Sequence, residues 1–196
     1  MKPSPKLRIL EIAKNRFYRQ GYFHTGINQI IRESGTAKAS FYDHFASKQS
    51  LGVQVIRAYG VDVLVWFRNI LRKSKTPNDF IREMTDAILK QIHGDESYYQ
   101  GCPIAIFSCQ FPVGEMPFSE EFKRIVLRWE SLFVMTISKW KEKGYLRSHS
   151  NEMELARDLI TLYEGALINW RISLNEDYIS RVFDQMKERL KLETKK

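Results

Sequence analysis

An all-α fold is what this sequence predicts, and three observations predict it. Apolar residues recur at three- and four-residue steps along most of the 196 residues. No segment alternates convincingly with the period of two that a half-buried strand requires. Glycine, proline and small polar residues fall where the helical runs stop. The expected layout is about nine helices, with three forming an N-terminal head over residues 1–50 and the rest a helical body over residues 51–196.

Leu7, Leu10, Ala13 and Phe17 mark an amphipathic first helix that ends at Gly21, a residue suited to a left-handed stop. Thr25 is placed to cap a second helix with Ile27, Ile30 and Ile31 on one face, and Gly35 closes it in a tight turn. A third short helix carries Lys38 to Phe45. Ser47 then caps a long fourth helix with Leu51, Val55, Ala58, Val61, Val65 and Leu71 inside, stopping before Pro77. Head therefore passes into body without a flexible linker. Phe80, Met84, Ile88 and Ile92 outline a fifth helix, and Gly94 to Gly101 reads as a loop. The apolar piece from Pro103 to Phe111 is ambiguous by periodicity and is read as a buried sixth helix with Pro103 in its first turn. Beyond Pro112, Gly114 and Pro117, a long seventh helix carries Phe122, Ile125, Val126, Trp129, Phe133, Ile137 and Trp140 and ends at Gly144. The eighth holds Met153, Ala156, Ile160, Tyr163, Leu167 and Trp170, a three-then-four seam like that of a coiled coil. The ninth holds Tyr178, Val182, Phe183, Met186 and Leu190.

Charge divides unevenly along this layout. Residues 1–50 carry nine Lys/Arg against three acids, so +6 of the net +8 sits in the head. A basic head on a nearly balanced body is expected where one end meets a polyanion, because phosphate contacts release counterions; a solvated basic face with no partner gives the same count. Two cysteines, Cys102 and Cys109, do not make a disulfide framework and suit a reducing compartment. No apolar run near the length of a membrane span and no secretory leader is read, so a soluble, cytoplasmic protein is expected. The four histidines, His24, His44, His93 and His149, are scattered without metal-ligand spacing, and no phosphate loop or nucleophile elbow appears. The sequence therefore reads as a non-enzyme with no metal and no cofactor.

Function enters at the head. Arg8, Ile9, Leu10, Ala13, Phe17, Gly21, Tyr22, Thr25, Ile30, Gly35, Ser40, Tyr42, His44, Phe45, Lys48 and Leu51 resemble the N-terminal helix-turn-helix signature of the tetracycline-repressor (TetR) family. The physical reading agrees: Gly35 frees the turn, and helix 3 presents its first residues to a groove. Lys38 reaches a guanine edge or a phosphate, and Ser40 either a base edge or the backbone. The resemblance implies phosphate contacts from Thr25, Tyr42 and Lys48, with Ala39 and His44 on the same surface. Phe41 and Phe45, at helical spacing, are read as the lock of the small core. Three positions depart from the common pattern. Ala37 replaces a capping Ser or Thr, and Ala39 replaces a frequent Gly. Asp43 is a carboxylate on the reading helix, expected either to tie down a basic neighbour, the favoured reading, or to accept from a cytosine amino group.

In the body, Gly101-Cys102-Pro103 and Tyr163-Glu164-Gly165-Ala166-Leu167 resemble a subgroup of the family that pairs a Gly-Cys loop with a Glu-Gly-Ala stretch. That resemblance implies a homodimer through helices 8 and 9, with Ile160, Leu167 and Phe183 in the interface, and an effector cavity among helices 4 to 7. Trp66, Phe67, Phe107, Phe111, Trp129, Phe133 and Trp170 are candidates to line it for a small apolar or aromatic effector, core packing being the alternative for each. Cys102, before Pro103, faces a positive helix end that can activate a thiol for sensing oxidants or electrophiles. The expected function is an effector-released repressor bound to an inverted-repeat double-stranded operator. A constitutive dimeric DNA-binding protein and a thiol sensor through Cys102 stand as alternatives.

Overall fold

The computed structural model describes residues 3–94 and 99–192, the last two by backbone alone. Among these residues the regular structure is nine α-helices and no strand: α1 (Pro5–Gln20), α2 (Ile27–Ser34), α3 (Lys38–His44), α4 (Lys48–Lys73), α5 (Pro77–His93), α6 (Pro103–Ser108), α7 (Phe118–Glu142), α8 (Glu152–Ser173) and α9 (Asp177–Leu192). The all-α expectation holds. Local chemistry accounts for most helix starts. Thr76 accepts the Asp79 N–H at 3.1 Å while the Asp79 carboxylate takes the Thr76 N–H, a reciprocal cap at α5. Ser47 accepts the Ser50 N–H ahead of α4, and the Asn151 carboxamide accepts two N–H groups ahead of α8.

Four details differ from the sequence reading. Gly26, not Thr25, caps α2: the Thr25 side chain is buried and its hydroxyl donates to the Gly21 carbonyl at 2.7 Å. α6 stops at Ser108 instead of running to Phe111, because the next amides tighten into three-residue bonds, Gln110 to Phe107 and Phe111 to Ser108, ahead of Pro112. α7 starts earlier, at Phe118, with Glu120 and Glu121 in its first turn, where the helix dipole favours acids. α4 is long and apolar enough to cross a bilayer by length and composition, which the count of uninterrupted apolar residues did not register. Its buried side, including Leu51, Val55, Ile56, Tyr59 and Phe67, is covered by protein. Of the loop expected from Gly94 to Gly101, residues 95–98 lie outside the described residues.

Packing divides the chain into two compact units. The first takes the residues up to Asp62 together with Cys102–Ile125; the second takes Val63–Gly101 and the residues from Val126 on. The three head helices expected over 1–50 thus belong to a larger unit that includes α6 and the start of α7. Its centre is aromatic. Tyr22 touches Phe17, Phe107, Phe111 and Phe118 with ring centroids 5.1 to 5.9 Å apart. Gly60 lets α4 and α7 close up, since a Cβ there would stand 2.7 Å from the Ile125 side chain. Beside that contact the largely buried Glu121 carboxylate accepts from Arg57 at 2.6 Å and Arg124 at 2.9 Å.

The second unit is built on Phe67, whose ring lies 5.7 Å from Trp129, 5.1 Å from Phe133 and 5.2 Å from Tyr163. Leu155, Ala156, Leu159, Tyr163, Ala166, Leu167 and Trp170 form the buried face of α8. Ile179, Phe183, Met186 and Leu190 form that of α9. Arg189 clasps Asp158 at 2.8 Å and Glu154 at 2.9 Å, holding these two helices in register.

Candidate nucleic-acid interface

α2, the turn at Gly35 and α3 stand together in the first unit, with Arg32 and Lys38 matched in charge by Glu33 and Asp43. Gly35 has φ 59° and ψ 40°, the left-handed conformation, and its N–H closes back on the Arg32 and Ile31 carbonyls. α1 braces the turn from outside: Arg8 donates from Nε to the Ser34 carbonyl at 3.0 Å and from Nη2 to the Gly35 carbonyl at 3.3 Å. Arg16 pairs with Glu33 at 2.6 Å, and the guanidinium beside it, aided by Gln29, holds that carboxyl below its ordinary range. A β-branched residue cannot take the left-handed conformation cheaply. Gly35→Val should therefore cost at least about 1–2 kcal/mol, read as a lowered thermal midpoint together with loss of DNA binding.

On α3 Phe41 faces inward, and Phe45, the extended residue that ends the helix, is buried beside it, the two rings 5.8 Å apart. They lock the helix as the sequence reading expects and leave Lys38, Ala39, Tyr42, Asp43 and His44 exposed, with Ser40 half-buried. Ala37 caps α3 with no side-chain bond. Thr25 is not on this surface. Its burial and its bond to Gly21 remove its hydroxyl from any phosphate, so its part here is to fix the α1–α2 junction. Lys48, at the start of α4, is half-buried and its Nζ lies 4.5 Å from the centroid of the Tyr22 ring. Burial pushes this ammonium below its ordinary value. Tyr22 stands in the sequence signature, but nothing in its spacing points to this contact with Lys48. Its backbone N–H is held in turn by the Gln110 Oε1 at 2.6 Å.

The structure splits the seven aromatic candidates. Phe107 and Phe111 belong to the aromatic centre of the first unit, with Phe17 and Tyr22 as neighbours. Phe67, Trp129 and Phe133 come together in the second unit; half-buried Trp66 joins through Tyr163 at 5.9 Å, and Trp170 rests on Tyr99 at 5.5 Å. Tyr163, which touches both Trp66 and Phe67, was legible only as a core position of its helix. Trp129 is 1% exposed. Its indole N–H is buried without a hydrogen-bond acceptor among the described residues.

Cys102 is buried and Cys109 exposed, so the thiol that solution oxidants reach first is not the one at the helix start. Of the interface candidates, Leu167 and Phe183 are buried within their own unit and have no surface to give a second chain; Ile160 is half-buried. No group of three or more His, Cys, Asp and Glu placed to hold a metal occurs among the described residues.

With this geometry in view, the similarities are consistent from end to end. Residues 9–55 match the family described as "Bacterial regulatory proteins, tetR family", and residues 78–186 match "Tetracyclin repressor-like, C-terminal domain". The repressor DhaR of Mycobacterium sp. strain GP1 is 26% identical over 185 residues, covering 91% of this chain and 90% of that protein. The regulator LmrA of Bacillus subtilis is 25% identical, covering 82% and 83%. Among solved structures, a TetR-family regulator from Cytophaga hutchinsonii superposes with a TM-score of 0.85 at 18% identity over 100% of both chains. The reduced form of Escherichia coli NemR gives 0.84 at 17% identity over 94% and 95%. The last two similarities bear on fold alone.

Proposed function

We propose that this chain, which belongs to the tetR family of bacterial regulatory proteins, is a dimeric repressor whose helical body releases an inverted-repeat operator when it binds a small apolar or aromatic effector. Its regulator identity and DNA-binding helix-turn-helix follow from the family. The effector response, the dimer, the cytoplasmic setting at the nucleoid and the sign of regulation are the proposal. One observation carries the effector reading: the Trp129 N–H, buried without an acceptor among the described residues, beside Phe67 and near Phe133 and Tyr163. A buried donor left unpaired is costly, and a ligand acceptor relieves that cost. The effector is therefore an apolar body carrying a carbonyl or ether oxygen. DhaR, by its name a repressor, supports the sign.

The dimer face proposed here is the outward side of α8, where Ile160 is joined by Ile168 and by Ile172, which is 77% exposed, and where nothing lies within 4 Å of a Cβ built on Gly165. Such a face lets a second helix approach closely, and burying it covers apolar surface. The test is operator binding by fluorescence anisotropy across matched lipophilic compounds with and without a carbonyl. Carbonyl compounds should release DNA from wild type. Trp129→Phe should weaken that response about three- to tenfold, the worth of one neutral hydrogen bond, with DNA affinity in the absence of compound unchanged. Ile172→Glu should sediment as a monomer. A protein indifferent to every compound returns the constitutive reading.

A further inference from the structure

We propose that Asp43 is a specificity-determining residue that reads the exocyclic amino group of a cytosine in the major groove; this rests on the DNA-binding role of the helix-turn-helix. Three observations point to it. First, position: Phe41 fixes the buried side of α3, and at 3.6 residues per turn Asp43 lies about 160° from it, so its carboxylate stands on the exposed side of the helix. One turn earlier on that side Ala39 offers only a methyl group, which leaves the carboxylate as the protruding polar group there. Second, no ion pair or side-chain hydrogen bond to Asp43 occurs among the described residues, so the tie-down favoured by sequence is not made. Third, the residue does nothing for its helix. It sits next to the last helical residue, where the dipole disfavours an anion, and aspartate is a poor helix former.

A carboxylate entering a groove flanked by phosphates is repelled unless a donor meets it. Cytosine N4 and adenine N6 are the amino donors of the major groove. Adenine sets its N7 acceptor beside the donor, against the second carboxylate oxygen, whereas cytosine presents the amino group alone, and this selects cytosine. The carboxylate therefore lowers affinity for DNA at large and restores it only where the matching base pair stands. That is discrimination by repulsion as well as by contact.

The experiment is selection from random duplex DNA with the full-length wild type, Asp43→Ala and Asp43→Asn, followed by measured affinities for sites varied at each selected position. Wild type should demand cytosine at one position per half-site, with about a ten- to hundredfold loss for other bases. Asp43→Ala should accept all four bases there within about threefold, keep its preferences elsewhere, and bind unrelated DNA more tightly because a repelled charge is gone. Asp43→Asn should turn the preference toward adenine, whose N6 and N7 an amide pairs bidentately. Unchanged thermal midpoints exclude misfolding as the cause. The proposal is overturned if the alanine variant keeps the wild-type base preference, if it weakens equally on all sequences, or if the position it relaxes is adenine. A wild type that selects no sequence at all would overturn the DNA-binding reading itself, a result distinct from a selected motif that ignores Asp43.

Discussion

Phe107→Ala should destabilise the first unit by about 3–5 kcal/mol, the loss found when a fully buried phenylalanine is cut to a methyl group. Its ring is buried and touches Phe17 at 5.7 Å, Tyr22 at 5.9 Å, Tyr59 at 5.9 Å and Phe111 at 5.3 Å. Those neighbours come from α1, the α1–α2 junction, α4 and the turn after α6, and each is pinned elsewhere. Tyr59, for example, donates its hydroxyl to the Lys14 carbonyl at 2.5 Å. The surroundings therefore collapse little into the space, which is the condition for a large penalty. Denaturant unfolding followed by circular dichroism measures it, and DNA binding should be lost at lower denaturant than in wild type. A near-zero stability change with an altered effector response would instead return Phe107 to the effector cavity.

Lys48→Ala should weaken binding to all DNA sequences alike. If each head of the proposed dimer loses one phosphate contact, the plot of log affinity against log salt flattens by about 2, and affinity near 0.15 M salt falls on the order of thirtyfold. Tyr22 shapes this contact, because its ring lies under the ammonium and holds it at the mouth of α4. Tyr22→Leu retains an apolar side chain but removes the ring face, so it should reproduce part of the loss without flattening the salt plot, since the charge is still there. An equal loss of slope in both variants would mean that the ring, not the charge, governs the contact.

The fold was legible in the sequence wherever one chemical signal decided one local structure. Gly35 closes α2, Ser47 caps α4, and the placing of Phe41 gives the inward side of α3 and hence its outward one. Legibility failed where tertiary partners decide. Thr25 reads as a cap by residue type, but Gly21 competes for its hydroxyl and wins. Leu167 lies in the three-then-four seam of the eighth helix, and family resemblance implies an interface role for it and for Phe183, yet period says only that a face is buried; α8 and α9 bury those faces within one chain. Phe107 and Trp129 are indistinguishable as letters in an apolar helix, and only the placement of rings sends one to the first unit and the other to the second. The relation of Lys48 to Tyr22 spans 26 residues, beyond the reach of any periodicity.

The first unit is discontinuous in the chain, since Cys102–Ile125 returns to complete what the residues up to Asp62 begin. Its recognition surface is therefore not a cassette. A fragment ending at Asp62 would lose Phe107 and Phe118 from around Tyr22 and Ile125 from beside Gly60, uncovering an aromatic surface where the intact chain has its centre. Chimaeras that graft this operator preference onto another body must carry the later segment with the earlier one. For the same reason, substitutions between Cys102 and Ile125, distant in sequence from α3, belong among those expected to alter DNA affinity in a screen of the whole gene.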